Sequence, residues 1–213
     1  MSKFDRAIKF LFDRTVALLG LLSLGWLLVG VAVVLKIKEP GCPVLFTQQR
    51  VGRHGKLFRI HKFRTMYQHQ EGPSVAYPVT GRVTPFGARL RRCKLDELPE
   101  LWDVLIGTMS FVGPRPDVPG YADRLQGEAR QVLEMRPGIT GFATLKYRNE
   151  EELLKTVVTK AKAEGDPRTE TEIAVWYNDH VIYPDKVKLN LYYYRHFSFS
   201  LDLKIMFRTI FGA

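Results

Sequence analysis

"VALLGLLSLGWLLVGVAVVL" (residues 16–35) is a run of twenty residues without a single charge. As an α-helix it would be about 30 Å long, which is the thickness of the hydrocarbon core of a bilayer. The run is too long for the apolar region of a cleaved signal peptide, and no small-residue cleavage site follows it before "KIKEPGCP". The stretch therefore predicts a membrane anchor that remains on the mature protein.

Positive charges flank the anchor on both sides. They are Lys3, Arg6, Lys9 and Arg14 before it, and Lys36, Lys38, Arg50 and Arg53 after it. Since such flanks favour the cytoplasmic side, a segment with both ends there must be re-entrant and bend inside the membrane. Gly20, Ser23 and Gly25 offer a weak point, because glycine loosens a helix and a serine hydroxyl can bond a freed carbonyl. Charge by itself leaves the re-entrant and the spanning helix equally open.

The remainder of the chain has the length and composition of one catalytic unit. With 213 residues, 46% of them hydrophobic, the chain can bury one sizeable core, which predicts an anchor at 1–38 and a catalytic domain at 39–213. Cys42 and Cys93 have no paired spacing, so neither a disulfide framework nor a zinc cluster is indicated. We interpret both as reduced and structural, as is usual in a reducing compartment.

The net charge of +10 is concentrated directly after the anchor. Residues 36–94 hold thirteen Lys or Arg and two acidic residues. Such a block favours an anionic partner, which is nucleic acid, a membrane surface or a phosphorylated small molecule. A solvated basic face is the alternative, but the neighbouring anchor favours the membrane.

The pattern beyond the anchor predicts an α+β fold. Two extended runs, "VLFTQQR" (44–50) and "KLFRIHKFRTM" (56–66), flank the turn "VGRHG", which is typical of a β-hairpin. The Pro- and Gly-rich segment 68–87 is predicted to be a loop, and "GTMSFVGPRPDVPG" (107–120) is predicted to be irregular. Pro137-Gly138 in "RPGITG" fits the centre of a type II turn.

Helical segments are predicted at 121–135 and over most of 149–183, with a break at "EGDP". A last helix follows at the C-terminus, with Ser200 as its expected N-cap. Its apolar residues form one stripe at helical spacing: Leu203, Met206, Phe207, Ile210 and Phe211. The stripe suits either a helix packed on the core or an amphipathic helix lying in the membrane interface.

The motif "LDELPELWDVL" (95–105) follows the basic run "RLRRCK". As one helix from Leu95, it would place its apolar side chains on one face (Leu95, Leu98, Leu101, Trp102 and Leu105) and its acids opposite (Asp96, Glu100 and Asp103). Acids near a helix N-terminus stabilise it by about 0.3–1 kcal/mol through the helix dipole, so the motif by itself favours an ordinary helix start.

The neighbouring motifs favour chemistry. Arginines lie before the acids in "RLRR", and "GPRP" and "RPGITG" follow, with Arg115 fixed between two prolines and glycines that permit close approach of a ligand. Together they predict a site for a diphosphate. An ionised carboxylate can attack phosphorus without a general base when Mg²⁺ and arginines neutralise the charge. Adjacent helical residues diverge by about 100°, so Asp96 and Glu97 are expected to have different tasks.

The order of the motifs resembles a known family. "FTQQRVG", "KFRTM", "LDELPELWDVLIGTMSFVGPRP", "RPGITG" and "FSFSLDLKI", behind an apolar segment, are similar to the bacterial sugar transferase family of small monotopic phosphoglycosyl transferases. The resemblance covers nearly the whole chain. It implies transfer of a sugar 1-phosphate from a UDP-sugar to polyprenyl (undecaprenyl) phosphate, with release of UMP, as a first membrane step of glycoconjugate or exopolysaccharide assembly.

The resemblance also implies roles for individual side chains. Asp96 is the expected nucleophile, which forms a phosphoglycosyl-enzyme intermediate, and Glu97 is its partner; the pair is expected to hold Mg²⁺. Arg91 is expected to hold phosphate. The other residues expected to bind substrate lie in the shared motifs: Lys62, Arg64, Arg115, Arg136, Gly138 and Thr140.

Family membership further implies a monotopic protein on the cytoplasmic face of the bacterial inner membrane, with a re-entrant anchor and amphipathic interfacial helices. The expected partners are the UDP-sugar, polyprenyl phosphate and membrane lipid, and a homo-oligomer stays open. Two features depart from the family pattern: the anchor lacks the usual proline, and the segment 147–190 is long and without an assigned role.

Two other functions fit part of this sequence. A membrane-bound, Mg²⁺-dependent hydrolase of diphosphate lipids or nucleotides would need the same carboxylates, metal and arginines. A membrane-tethered nucleic-acid binder would use the basic segment, but the sequence holds no recognised nucleic-acid motif and this function leaves the acidic pair without a task. No nucleic acid is therefore expected as a partner.

Overall fold

The computed structural model describes residues 3–67 and 82–212, with side chains from residue 5 onward. Within these ranges the helices are α1 (Lys3–Lys38), α2 (Pro85–Arg92), α3 (Glu100–Ile106), α4 (Phe142–Lys146), α5 (Glu150–Ala163), α6 (Glu170–Tyr177), α7 (Tyr183–Arg195) and α8 (Phe199–Phe211). The strands are β1 (Leu45–Val51), β2 (Leu57–Phe63), β3 (Ser110–Val112) and β4 (Gly138–Thr140). The predicted α+β class is confirmed. Of the predicted loop at 68–87, residues 68–81 lie outside the described residues, and α2 begins before its end.

Helix α1 is continuous through the predicted weak point. The Ser23 hydroxyl donates to the Gly20 carbonyl at 3.2 Å, so this side-chain bond forms without interrupting the helix. Among the described residues, Asp5–Lys38 is the one helix long and apolar enough to cross a membrane. Its predicted apolar character is confirmed.

One face of α1 belongs to the core of the domain along much of the helix. Near its start, the Lys9 ammonium lies 2.5 Å from the Asp202 carboxylate of α8, in a buried ion pair. In the middle, Ala17 packs in one cluster with residues of β2 and α3. Near its end, Val31 and Leu35 pack against Phe63 of β2 and a leucine of α2. The anchor is therefore part of the folded domain at both ends.

The opposite face of α1 is apolar and exposed. Its exposed side chains are Leu11, Leu18, Leu19, Leu22, Trp26, Val29, Val33 and Ile37. In α8, Ile205 is buried, while four members of the predicted stripe, Leu203, Phe207, Ile210 and Phe211, are exposed. Burial of these side chains in lipid would contribute about 25 cal/mol per Å² of apolar surface, which makes lipid the favoured solvent for both faces.

The predicted β-hairpin is confirmed. Strands β1 and β2 pair antiparallel, with Gln48 opposite Ile60, and the turn between them contains His54 and Gly55 at positive φ. Glycine adopts this conformation without strain. Ile60 and Phe63 point into the core, and the hairpin thereby places the polar side chains between them next to α3.

Two short strands replace structure that was predicted to be irregular. Strand β3 pairs in parallel with β4, so the prediction for 107–120 is wrong over residues 110–112. The type II turn at Pro137-Gly138 is also wrong, because Gly138 lies in β4 and does not have the positive φ that such a turn requires. A Cβ on Gly138 would lie 2.1 Å from the backbone nitrogen of Gly113. This glycine permits close approach of backbone, where close approach of a ligand was expected.

The helix predictions at 121–135 and at the C-terminus need correction. The first segment forms two 3₁₀ turns, Ala122–Arg124 and Gly127–Glu134. Helix α8 begins two residues earlier than expected, because the hydroxyl of Ser198, and not that of Ser200, accepts from the Leu201 N–H at 3.2 Å. The helices predicted within 149–183 are confirmed, with the break between α5 and α6.

The ion pair between Lys9 and Asp202 predicts the effect of a substitution in the anchor. Lys9→Met leaves the Asp202 carboxylate buried without its cation, which should lower the free energy of unfolding by about 3 kcal/mol. The measurement is the unfolding transition in detergent micelles, followed by tryptophan fluorescence. Lys155→Met, at an exposed position of α5, is the matched control and should change little. Equal transitions for all three proteins would show that the pair does not hold α1 to α8.

Candidate active site

The acidic pair lies in a short 3₁₀ turn, Leu95–Glu97, between α2 and α3. Lys94 before it has a left-handed φ of 56°, and Pro99 after it has no N–H to donate to a continuing helix. The single helix predicted from Leu95 is therefore wrong, since α3 begins only at Glu100. Asp96 and Glu97 therefore lie in the turn before α3 and are not part of that helix.

The predicted apolar face of this motif is only partly buried. Leu101 packs inward, whereas Trp102 is 51% exposed. The acids Glu100 and Asp103 are fully buried instead. A buried carboxylate requires hydrogen bonds or cations, so α3 directs its charged face to the basic strand β2 and its tryptophan outward.

Asp103 attaches α3 to β2. Its Oδ1 lies 2.7 Å from His61 Nδ1, and its Oδ2 accepts from the His61 backbone N–H at 2.9 Å. Burial raises the pKa of the Asp103 carboxyl, and these two hydrogen bonds oppose that shift. Asp103 and His61 were not predicted as site residues. Nothing in their local sequence indicates that they pair, because the contact forms only when α3 packs against β2.

Glu97 lies between two cations. Lys62 Nζ is 2.5 Å and Arg115 Nη2 is 2.6 Å from the same oxygen, Oε1. Burial acts to raise the pKa of Glu97, but Arg115 and Lys62 outweigh it and hold the pKa far below its ordinary value. Lys62 also lies 3.0 Å from Glu100, whose pKa burial raises to about 6. Glu97 is therefore ionised at neutral pH.

Asp96 is buried, with 9% of its surface exposed, and one of its two carboxylate oxygens lacks a partner in the described part of the chain. Its Oδ1 has no hydrogen-bond partner among the described residues. Burial and the negative charge of Glu97 raise the pKa of the Asp96 carboxyl, and the charges of Lys62, Arg91 and Lys94 oppose this shift. A carboxylate oxygen close to several cations but bound by none has a free lone pair for a phosphorus atom or a metal ion.

The remaining predicted residues fall into two groups. Arg91 is near the pair, and its Nε donates to the Thr65 hydroxyl at 2.9 Å. With Lys62 and Arg115 it forms the cationic wall around Asp96 and Glu97. Arg64 belongs to the same strand end as Lys62, and its backbone N–H donates to the Val44 carbonyl.

The residues of "RPGITG" contact other parts of the molecule. The Arg136 guanidinium lies 4.3 Å from the centre of the Phe10 ring in α1. Gly138 packs on the backbone of Gly113, and the Thr140 hydroxyl is 2.6 Å from the Thr209 hydroxyl of α8. These contacts hold β4 between β3 and α8, and none of them reaches the acidic pair.

Arg115 is positioned by strand β1. Arg50 Nη1 donates to the Pro116 carbonyl at 3.2 Å, and the Val51 N–H donates to the Asp117 carbonyl at 2.8 Å. These bonds fix the segment Pro114–Pro116, in which the prolines already restrict φ. The supporting role of Arg50 was not predicted, because it acts on backbone atoms 66 residues away in sequence.

The donors suit a magnesium ion that is completed by substrate. No group of three or more His, Cys, Asp or Glu residues in the described ranges is placed to hold a metal. Mg²⁺ commonly takes one or two carboxylates together with substrate phosphate oxygens and water, and so requires no such group. The unpartnered Oδ1 of Asp96 is a suitable oxygen donor, and both cations on Glu97 bind its Oε1.

The comparison with known proteins identifies the family. The model of the bacterial sugar transferase family matches residues 4–213. A UDP-N-acetylgalactosamine-undecaprenyl-phosphate N-acetylgalactosaminephosphotransferase of Aeromonas hydrophila is 34% identical over 208 residues, 95% of this chain and 43% of that protein. The exopolysaccharide production protein PSS of Rhizobium leguminosarum bv. phaseoli is 34% identical over 215 residues, 97% of this chain and 94% of that protein.

A third relative is the UDP-glucose:undecaprenyl-phosphate glucose-1-phosphate transferase of Escherichia coli (strain K12). It is 32% identical over 221 residues, 99% of this chain and 41% of that protein. The chain thus spans less than half the length of the Aeromonas and Escherichia relatives and nearly all of the Rhizobium one. This protein belongs to the bacterial sugar transferase family.

The raised pKa of Glu100 predicts a pH dependence of stability. Its value of about 6 in the folded protein compares with 4.5 for an ordinary glutamate. Between these pH values the folded state binds more protons than the unfolded state, so this group makes the free energy of unfolding fall as the pH rises. Glu100→Gln should remove that contribution and weaken the fall in melting temperature from pH 4.5 to 6. Glu164→Gln, on the surface, should keep the wild-type profile; the same change in both variants would contradict the assignment.

Proposed function

We propose that the chain transfers a sugar 1-phosphate from a UDP-sugar to undecaprenyl phosphate and releases UMP. The observation that carries this proposal is the buried, unpartnered Asp96 Oδ1 beside a glutamate held by two cations. The relatives named as undecaprenyl-phosphate sugar phosphotransferases support the substrate classes. Which sugar is transferred is a question for a panel of UDP-sugars.

The reaction has two displacements at the same phosphorus. An oxygen of the Asp96 carboxylate attacks the phosphorus next to the sugar, the bond from that phosphorus to the bridging oxygen breaks, and UMP leaves. A phosphate oxygen of undecaprenyl phosphate then attacks the same phosphorus, and the bond to Asp96 breaks. The products are undecaprenyl-diphospho-sugar and a free carboxylate. A carboxylate is a suitable nucleophile here because it is ionised at neutral pH and needs no base.

The cations around the pair make this attack on an anion feasible. Arg91 and Lys62 stabilise the charge on the phosphates, and Arg115, fixed by its prolines, binds Glu97 and faces the same space. Mg²⁺, held by Asp96 and Glu97 together with the diphosphate, would supply further neutralisation of charge when bound. Lys62, Arg91 and Lys94 also oppose the rise in the pKa of Asp96, which keeps its carboxylate available.

The site adjoins the faces that favour lipid. Helix α3 follows the acidic pair and exposes Trp102 and Ile106, and Arg14 of α1 donates to the Leu105 and Ile106 carbonyls at 2.9 Å. An acceptor with a polyprenyl tail can thus present its phosphate from the membrane while its tail stays in lipid. A hydrolase acting on soluble nucleotides would not need this placement.

We assign the protein to the cytoplasmic face of the bacterial inner membrane, as a monotopic protein. Support comes from α1, whose start contacts α8 and whose end contacts α2 and β2 of the same domain. A domain on one side of the membrane would keep both ends of α1 on that side. This arrangement favours a re-entrant or in-plane anchor over a spanning one.

The nucleophile is tested by Asp96→Asn. We expect the variant to remain folded and membrane-bound but to lose UMP release, because an amide does not displace the leaving phosphate. With labelled UDP-sugar and no lipid acceptor, intact mass spectrometry should show a sugar phosphate adduct on the wild type and none on Asp96→Asn. Asp166→Asn, in the break between α5 and α6, is the matched control and should keep both UMP release and the adduct.

Two results would contradict this mechanism. Turnover of Asp96→Asn near the wild-type rate would remove Asp96 from the role of nucleophile. Full-rate release of UMP without undecaprenyl phosphate would instead identify the protein as the diphosphate hydrolase considered above.

The topology is tested by accessibility of the two ends of the chain. Tags placed before residue 3 and after residue 212 should both be digested by protease from the cytoplasmic side of inside-out vesicles, and both be protected in right-side-out spheroplasts. A tag placed after residue 164, in the break between α5 and α6, is the control for the domain itself. An N-terminal tag cleaved in spheroplasts would establish a spanning helix.

A further inference from the structure

A second group of cations lies at the start of α1, separate from the acidic pair. Arg6, Lys9, Arg53 and Arg136 line one open cavity, together with the aromatic rings of Tyr193 and Phe197. Glu134 is the one acidic residue in the lining. None of the contacts assigned above to Asp96 or Glu97 involves these residues. The proposed reaction therefore leaves this concentration of positive charge without a task.

The nearby acids are already engaged elsewhere. Asp202 pairs with Lys9 at 2.5 Å, and Glu134 accepts a hydrogen bond from the Tyr194 hydroxyl at 2.6 Å. Asp13 accepts from the Ser110 hydroxyl at 2.7 Å. Lys9 is thus neutralised, while the arginines of the cavity are not matched by an equal number of carboxylates.

The three arginines have donors that carboxylates do not satisfy. Arg6 Nε is buried and has no hydrogen-bond partner among the described residues. Arg53 Nε donates at 2.9 Å to the backbone carbonyl of Glu134, which is neutral. The Arg136 guanidinium lies over the Phe10 ring. The guanidinium of Arg14 lies over the same ring, 3.6 Å from its centre. Buried donors without an anion are costly, so the site favours an anionic acceptor.

Mutual repulsion of the arginines points the same way. Burial, together with the charges of Arg53 and Arg14, lowers the pKa of Arg136, and the charge of Asp13 opposes this shift. Guanidinium groups remain charged at neutral pH, so the repulsion persists in the folded protein. An anion bound between Arg53 and Arg136 would remove it.

The cavity borders α8, one of the two helices with an exposed apolar face. Phe197, which lines the cavity, lies just before α8, and Lys9 of the cavity pairs with Asp202 in the first turn of α8. Helix α8 then exposes Leu203 and the rest of its apolar stripe. The cations are therefore next to side chains that favour acyl chains, which is where the headgroup of a phospholipid would lie.

We infer that the cavity formed by Arg6, Arg53 and Arg136 at the start of α1 binds the phosphate of an anionic phospholipid. The lipid would seat the anchor against the domain from the membrane side and hold α1 at a constant depth. The ligand would be a phospholipid whose headgroup has a net negative charge. Its acyl chains would lie along the apolar residues of α1 and α8.

The test is binding of short-chain lipids to the purified full chain in neutral detergent, measured by the shift of the melting temperature across a concentration series. Dioctanoyl phosphatidylglycerol should bind at least about tenfold more tightly than dioctanoyl phosphatidylcholine, whose headgroup has no net charge. Inorganic phosphate should bind more weakly than phosphatidylglycerol, because it lacks the acyl chains. Equal shifts for the two lipids, or an affinity for inorganic phosphate equal to that for phosphatidylglycerol, would overturn the lipid assignment.

Variants locate the site. Arg6→Gln and Arg53→Gln should each weaken binding of phosphatidylglycerol about fivefold, because one cation near an anionic headgroup contributes about 1 kcal/mol. Arg6→Lys keeps the charge and should keep most of the affinity. Lys155→Gln makes the same change of charge on the exposed side of α5 and should bind like the wild type. A loss of affinity in Lys155→Gln equal to that in Arg6→Gln would show attraction by net charge and overturn the site.

A competition experiment separates this cavity from the donor site. UDP should not displace phosphatidylglycerol, since the proposed reaction places the nucleotide at Asp96 and Arg115. Displacement by UDP would assign the cavity to the donor nucleotide and overturn the inference. Because the readout is binding of lipid, failure of this inference leaves the tests of sugar phosphate transfer unaffected.

Discussion

The buried carboxylate of Glu97, held by Lys62 and Arg115, is the interaction on which the geometry of the active site depends. It joins three parts of the chain that are distant in sequence: strand β2, the 3₁₀ turn Leu95–Glu97 and the segment Pro114–Pro116. A buried carboxylate that loses its cation costs several kcal/mol, so these parts must meet when the domain folds. Their meeting leaves Asp96 near Lys62, one of these two cations, with an unbound oxygen. The ionised carboxylate of Glu97, which is bound by cations, thus sets the electrostatic environment of the available carboxylate of Asp96.

The surface of the fold suits two environments, water and lipid. One face of α1 packs on the domain, while its other face and the stripe of α8 expose apolar side chains that lipid favours. The ion pair of Lys9 with Asp202 connects these two helices inside the domain. Removing the anchor would therefore expose part of the core, and it would not simply release a soluble enzyme. Helix α3 follows the acidic pair and packs on α1, so it connects the candidate active site with the helix whose exposed face favours lipid.

Local sequence patterns predicted those elements that are stabilised by their own residues. The hairpin has alternating strands and a glycine turn, and the helices at 149–183 have strong periodicity with a capping box at Thr169. The predictions failed where contacts distant in sequence decide the structure. β3 and β4 are three residues each, too short for any pattern, and exist only because each satisfies the other's backbone. The helix expected from Leu95 is interrupted at Pro99, which has no N–H to donate, and Glu97 and Glu100 on either side of it both contact Lys62.

The sequence by itself determined the lipid-seeking anchor, the basic segment after it, the acidic pair and the family, because these depend on the chemistry and spacing of neighbouring residues. Tertiary structure decided the burial and the partners of each acidic side chain. Folding buries Glu100 and Asp103, gives Glu97 two cations, leaves Asp96 unbound and moves Arg136 to a ring of α1. The reason is that the pKa and the hydrogen bonds of a carboxylate are set by burial and by charges a few ångströms away. Those neighbours come from segments that only the folded chain brings together.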